Sequence, residues 1–282
     1  WKNQAFFTMA LVLKSHKAKK NFGQNFLHDD FWIEKIASAV DAQPGQNIVE
    51  IGPGQAALTR LMIRDAGCVT CIEIDKDLAQ WLQKKFKPEE LALIEADVLK
   101  VDFARIKPGE KIRLVGNLPY NISSPLLFRL MELADRVIDQ HFMLQKEVVD
   151  RMAATPGHKA FGRLSVMLQH RYKIVKLFDV PPDAFSPPPK VISSVVRMIP
   201  LESPLPVNEK LFERVTAQAF SMKRKTLKNN FAKYFGPEIL EEAGIDPGAR
   251  AEAVSMPSFV TLTNLLESKG ILLDDCVSAT QE

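Results

Sequence analysis

The sequence predicts an α/β fold, a parallel sheet covered on both faces, followed by a small all-helical domain. Three observations carry this expectation. Between Asp29 and Val115, short apolar β-rich runs alternate with stretches of helical periodicity, the pattern that right-handed crossovers produce. Pro200-Leu-Glu-Ser-Pro-Leu-Pro206 then interrupts all periodicity, as a linker does. Beyond it only the helical period remains, with Leu211, Val215, Ala219 and Met222 down one face.

The first helix is capped by Asp29 or Asp30 and carries Ile33, Ile36, Ala37 and Val40 at i, i+3, i+4, i+7. Pro44-Gly45 ends it, and Asn47 to Ile51 reads as a short buried strand. Gly52-Pro-Gly54 turns the chain into a helix marked by Leu58, Leu61 and Met62. Val69 to Ile74 is the second strand, and the next helix places Leu78, Trp81, Leu82 and Phe86 on one stripe. Leu91 to Ala96 and Ile112 to Val115 are the third and fourth strands. Ser124-Pro125 supplies an N-cap and a first-turn proline for another helix. A strand at His141 to Leu144 follows, then helices near Lys146 to Ala154 and Phe161 to Tyr172. Val191 to Met198 is the last strand.

Composition sets the class. The 282 residues exceed one typical domain, and 46% apolar with 25% charged residues excludes disordered and collagen-like chains. No apolar stretch approaches the ~18–20 residues of a membrane helix, so no membrane partner is expected. Basic residues number 37 and acidic 34, a net +3 that by itself says nothing about nucleic acid. Their distribution says more: Lys14, Lys17, Lys19 and Lys20 crowd together, and Lys223, Arg224, Lys225, Lys228 and Lys233 recur with no acid among them. Such a run reads either as a solvated face or as a phosphate-contacting one.

Three cysteines make no disulfide framework, which points to a reducing compartment, with the cytoplasm as default. Cys68-Val-Thr-Cys71 lies in a β-rich run that faces its two thiols to opposite sides, and the five histidines show no ligand spacing. No metal site is expected. Residues 1–16 are read as an N-terminal extension, the part before Met9 being either an upstream segment or an expression remnant. The start lacks a cleavage site and an Arg-rich character, so neither a signal nor a transit peptide is expected.

The chemistry concentrates at strand ends. Glu50-Ile-Gly-Pro-Gly54 stands where a strand meets a helix, the ligand crevice of open α/β sheets. Gly52 and Gly54 let backbone approach a ligand closely. With Ala57 the run also fits G-x-G-x-x-A, so a methyl-donor site, a dinucleotide site and a tight structural turn all remain open. Glu50 weighs against a pyrophosphate and for a cationic group such as the sulfonium amino acid of S-adenosyl-L-methionine. Glu73 ends the second strand about twenty residues on and reads either as the acid that bonds ribose hydroxyls or as an exposed acid at a strand end. Asp97 ends the third and reads either as a partner for an adenine amine or as a turn cap.

Asn117-Leu-Pro-Tyr120 follows the fourth strand. An adenine amine is a poor nucleophile because its lone pair is delocalised into the ring. The Asn117 side-chain oxygen and the Leu118 carbonyl offer two acceptors that allow that nitrogen to pyramidalise. Pro119 stiffens the loop, and Tyr120 offers a ring on which a displaced base stacks, worth ~1–3 kcal/mol. Three prolines, Pro187 to Pro189, hold an extended segment after Phe185. Phe185 is thereby either presented to a base or packed in the core.

Taken together, Phe22-Gly-Gln-Asn-Phe-Leu27, Glu50-Ile-Gly-Pro-Gly54, Asn117-Leu-Pro-Tyr120 and Phe185-Ser-Pro-Pro-Pro-Lys-Val191 resemble the ribosomal RNA adenine dimethyltransferases. Within that family the likeness is greatest to the bacterial small-subunit (16S) branch associated with kasugamycin sensitivity. Phe142-Met-Leu-Gln-Lys-Glu147 and Gly162-Arg-Leu-Ser165 fit the same family, and the likeness spans about Lys17 to Pro200. The resemblance implies a Rossmann-like class I S-adenosylmethionine-dependent methyltransferase domain over 17–202 and a helical domain contacting RNA or the ribosome over 203–282. It implies S-adenosyl-L-methionine as cofactor and dimethylation, at N6, of two adjacent adenosines near the 3′ end of small-subunit rRNA. The substrate it implies is a pre-30S particle, met by a monomer. Asn25, Leu27, Glu50, Gly52, Gly54, Glu73, Asp97 and Asn117 would hold the cofactor. Asn117, Leu118, Pro119 and Tyr120 would hold the amine, with Phe185 stacking from the other side. Lys223, Arg224, Lys225 and Lys228 would touch RNA. Two alternatives share much of this pattern, the large-subunit methyltransferases of macrolide resistance and a non-catalytic rRNA-binding assembly factor.

Overall fold

The computed structural model describes residues 24–274. The proposed extension 1–16, the lysines at 14, 17, 19 and 20, and Phe22 and Gly23 lie outside the described residues. Contacts divide the chain into two compact units, one comprising Trp1–Val149 with Val175–Ile199 and the other Asp150–Ile174 with Pro200–Glu282.

The first unit alternates as its sequence pattern predicts: β1 (Phe26–Leu27), α1 (Asp30–Val40), β2 (Ile48–Ile51), α2 (Thr59–Ala66), β3 (Val69–Glu73), α3 (Lys76–Lys85), β4 (Leu91–Glu95), β5 (Ile112–Asn117), α4 (Ser123–Met131) and β6 (Val137–Gln145). Asp29 caps α1 by accepting from the Phe31 N–H, and Ile33, Ile36, Ala37 and Val40 form its buried face. α4 departs from expectation. It begins at Ser123 rather than after a Ser124 cap, because the Ser123 hydroxyl turns back to the carbonyls of Pro119 and Tyr120 and Ile122 stands at the cap position.

The main sheet has the order β4-β3-β2-β5-β6-β9-β7, with β7 at Tyr172–Val180 and β9 at Ser193–Pro200. β2 through β6 pair in parallel, whereas β9 runs antiparallel to β6, so the sheet is mixed rather than wholly parallel. β7 was not anticipated. Its lysines at 173 and 176 and its mostly half-buried side chains give an edge strand without clean alternation. A separate two-residue ladder joins β1 to β8 (Phe185–Ser186), pairing Leu27 with Phe185.

The chain runs outward from β2 through β3 to β4, then returns to lay β5 on the other side of β2. That reversal opens a crevice at the carboxyl ends of β2 and β5. Below it, Arg113 on β5 is buried with a forked bond to Asp139 on β6 (2.8 and 3.0 Å). The same guanidinium bonds the carbonyls of Val40 and Asp41, groups that the C-terminal end of α1 leaves unsatisfied.

The second unit is helical: α6 (Arg163–Arg171), α7 (Glu209–Phe220), α8 (Leu227–Asn230), α9 (Pro237–Glu242) and α10 (Met256–Ser268), reached through α5 (Lys146–Ala153). By its contacts the stretch Asp150–Ile174 belongs with this unit. α6 joins this unit because it packs on α7 and α10, with the His170 and Phe212 rings 4.8 Å apart. Leu211, Val215 and Ala219 are buried as their spacing predicts, while Met222 lies beyond the end of α7 and is exposed. Among the described residues no helix is long and apolar enough to cross a membrane.

Candidate active site

The crevice is an open cleft of about 1240 Å³, counted with its solvent-facing mouth. Every proposed cofactor residue lies on its wall: Asn25, Leu27, Glu50, Gly52, Gly54, Glu73, Asp97 and Asn117. Gly52 and Gly54 adopt φ of +68° and +54°, which L side chains rarely take, so the turn after β2 requires glycine. The Gly54 position also faces the Phe26 ring, which a Cβ would approach to 3.1 Å.

Three carboxylates line the cleft at the ends of successive strands. Glu50 is fully buried beside Cys71, whose Sγ is 3.9 Å from Oε2. Burial pushes its carboxyl up to about 7, and the nearby Glu73 charge adds to the rise. Glu73 accepts from the Gly54 N–H (3.2 Å) and the Asp75 N–H (2.9 Å). Burial still raises its pKa despite those bonds. Asp97 caps a short 3-10 turn through the Leu99 N–H (3.0 Å). Its cap reading and its place on the cleft wall therefore hold together.

Asn117 ends β5 on the same rim. Its side-chain NH₂ donates to the Asn25 carbonyl (3.1 Å), which commits the amide and leaves Oδ1 as the acceptor. The Leu118 N–H donates to the Met143 carbonyl (3.1 Å), while the Leu118 carbonyl takes no bond from the described residues. Pro119 starts the next turn, and its carbonyl receives the Ser123 hydroxyl (3.1 Å). The phenol of Tyr120 meets the hydroxyl of Ser193 at the start of β9, and burial raises its pKa. Two acceptors without a partner among the described residues and an aromatic ring thus share one loop at the cleft.

Phe185 is placed differently. It is 2% exposed, packs in the core with Leu27, Val180 and Val195, and is absent from the cleft wall. Of the two readings open in the sequence, the side chain occupies the core one. Its neighbour in the ladder, Leu27, does reach the cleft. Lys223, Arg224 and Lys225 lie in the turn after α7, with Lys228 in α8, all exposed and with no side-chain partner among the described residues.

Some wall residues were not foreseen. Gly116 lets β5 approach β2 so closely that a Cβ there would sit 2.5 Å from the Ile51 carbonyl oxygen. A lone glycine inside a strand run was the available signal. Gln24 reaches Asp75 across 51 residues (2.9 Å), a pairing no local pattern announces. His141 on β6 also lines the cleft, with Nδ1 3.7 Å from Asp139. Burial pushes its imidazole down to about 4, so it is neutral.

The donor set fits adenosine bearing a cationic tail. Carboxylates stand at three strand ends, backbone is bared by two glycines, and an acidic pocket at Glu50 offers nothing to a pyrophosphate. Fold and site together define a class I methyltransferase. Two solved structures share the fold over most of the chain. A dimethyladenosine transferase from Plasmodium falciparum superposes with a TM-score of 0.75 at 26% identity, covering 87% of this chain and 98% of its own. The 23S rRNA methyltransferase ErmE gives 0.68 at 26%, covering 86% and 100%. The sequence pattern of the ribosomal RNA adenine dimethylases matches residues 15–268, and the chain belongs to that family. It is 52% identical to the ribosomal RNA small subunit methyltransferase A of Herminiimonas arsenicoxydans over 253 residues, covering 89% of this chain and 99% of the relative. To the protein of the same name from Bordetella avium it is 50% identical over 262 residues, covering 92% and 99%.

Proposed function

We propose that this chain uses S-adenosyl-L-methionine to dimethylate, at N6, two adjacent adenosines near the 3′ end of 16S rRNA during maturation of the 30S subunit. The observation that carries the reading is a pair of acceptors with no partner among the described residues, Asn117 Oδ1 and the Leu118 carbonyl, on a loop that lines a three-carboxylate cleft. Near-50% identity to proteins named for the small subunit favours that substrate over the large-subunit one.

When bound, S-adenosyl-L-methionine supplies an electrophilic methyl group on a sulfonium. Glu50 would face the positive end of the methionine moiety, Glu73 the ribose hydroxyls and Asp97 the adenine amine, with Asn25 and Leu27 closing over it. Asn117 Oδ1 and the Leu118 carbonyl accept the two N–H bonds of the target amine. This draws its lone pair out of conjugation and aims it along the cleft. Tyr120 carries the purine face, and Pro119 limits the loop's freedom. Catalysis of this kind rests on positioning and electrostatics, since no side chain need remove a proton before transfer. Lys223, Arg224, Lys225 and Lys228 offer unpaired charge to rRNA phosphates. Action on a pre-30S particle, as a cytoplasmic monomer with its catalytic part over 17–202 and an RNA-contacting part over 203–282, completes the proposal.

Incubation with labelled S-adenosyl-L-methionine and under-methylated small subunits, followed by nucleoside analysis, tests it. Dimethyladenosine mapped to the 3′ end of 16S rRNA is the expected product. Label in 23S rRNA instead would assign the chain to the large-subunit alternative. Asn117→Ala should abolish transfer while sparing particle binding, and full methylation by that variant would refute the role of the loop. A pure assembly factor would show no transfer with either protein.

A further inference from the structure

We infer that Ser193 is a positioning residue for the target base, acting through the phenol of Tyr120. The inference rests on the reading of Asn117-Leu-Pro-Tyr120 as the amine-holding loop.

The topology explains why a residue so distant in sequence reaches that loop. β5 and β6 end at the cleft rim, and β9 runs antiparallel to β6, so β9 begins at the rim where its neighbours finish. Asn117 pairs with Met143, Met143 with Val195, and Ser193 opposes Gln145 at the edge of the ladder. The Ser193 side chain is fully buried and meets the Tyr120 hydroxyl.

The start of β9 is itself held on its other side. The Ser194 hydroxyl donates to Asp179 (2.5 Å), Asp179 pairs with Lys146 (2.8 Å) and Lys176 (3.2 Å), and the Lys146 N–H donates to the Ile192 carbonyl (2.9 Å). Desolvation raises the Asp179 carboxyl, but the bonds from Lys146, Ser194 and Lys176 together outweigh it and bring the group down to about 2. Ser193 is therefore a rigid anchor. A tyrosine ring tethered at its hydroxyl keeps one orientation, whereas an untethered ring turns about χ1 and χ2 and presents its face to a base only part of the time.

This changes the meaning of the proline-rich segment. The aromatic that precedes it, Phe185, lies in the core, while the serine that follows it touches the loop. The segment's link to the target site is thus a hydroxyl at its far end.

The test compares four proteins on small subunits: the parent, Ser193→Ala, Tyr120→Phe and the double variant. Loss of one positioning hydrogen bond should lower kcat about 5- to 10-fold in Ser193→Ala, with the affinity for S-adenosyl-L-methionine within about twofold of the parent. Tyr120→Phe should lose the same factor, and the double variant no more than either single one. Ser193→Thr, which keeps a hydroxyl, should recover most of the rate. Unchanged kcat in Ser193→Ala would overturn the inference. So would multiplicative losses in the double variant, or a parallel fall in cofactor affinity and thermal midpoint, which marks a merely structural serine. If the parent itself transfers no methyl group to adenosine, the functional reading has failed, a separate result.

Discussion

Gly116 offers the sharpest test of how the cleft is built. An alanine there would place its Cβ 2.5 Å from the Ile51 carbonyl oxygen and 3.4 Å from the Ile51 carbonyl carbon. The obstructing atom is backbone in the central strand β2, so no flexible side chain can swing aside. Reaching an ordinary contact of ~3.4 Å requires β5 and β2 to part locally by about 0.9 Å, the difference between those distances. Overpacking of this kind costs ~1–3 kcal/mol, and for a chain of this size a thermal midpoint falls by roughly 2–4 °C per kcal/mol. Gly116→Ala should therefore melt roughly 2–12 °C below the parent by circular dichroism or differential scanning fluorimetry. Asn117 is the next residue, so the displacement arrives at its acceptor oxygen. A misplacement near 1 Å costs about 100-fold in rate, and methyl transfer should fall by that order in protein still folded at the assay temperature. A variant with parental melting and parental turnover would refute the claim that the strand approach is tight and that it sets the loop.

Three further outcomes follow from groups elsewhere in the structure. Glu50 has a folded pKa near 7 against an ordinary 4.5, so its stability contribution is present below about 4.5 and lost as pH rises through 7. Glu50→Gln should accordingly stabilise the cofactor-free chain at pH 8, on the order of 3 kcal/mol, with the gap closing toward pH 5. Equal melting curves across that window would contradict the buried acid. Asp139→Ala strands the buried Arg113 guanidinium without its forked partner and should cost about 3–5 kcal/mol in denaturant unfolding; a loss below ~1 kcal/mol would show that the pair is not desolvated. Reversing Lys223, Arg224, Lys225 and Lys228 to glutamate should weaken small-subunit binding and flatten its salt dependence, leaving S-adenosyl-L-methionine affinity unchanged. Parental binding would remove these four from the RNA surface.

The parts of the site that were legible in the sequence are those written locally. Gly52 and Gly54 announce a tight turn with bared backbone, and both take positive φ values that glycine adopts without strain. Glu73 and Asp97 stand at strand ends because the alternation of strands and helices counts them there, and both line the cleft. Four residues at i, i+3, i+4, i+7 defined the buried face of α1 without error. β7 escaped because an edge strand with half-buried faces has no periodic signature. The α4 cap shifted by two residues, from Ser124 to Ile122, and the Ser123 hydroxyl bonds carbonyls of the preceding turn rather than the helix's own N–H groups. Phe185 remained ambiguous because a proline run fixes extension but not the direction in which the preceding ring points.

The amino-acid order alone determined the α/β alternation, the place where the crevice opens and the chemical kinds gathered there, since each depends on neighbours within a few residues. Only the tertiary structure decided that β9 reverses and delivers Ser193 to Tyr120, that Gln24 reaches Asp75, and that Phe185 turns inward. Those contacts join residues tens of positions apart. They are selected by burial and hydrogen-bond satisfaction summed over the whole fold, a balance that no short window of sequence contains.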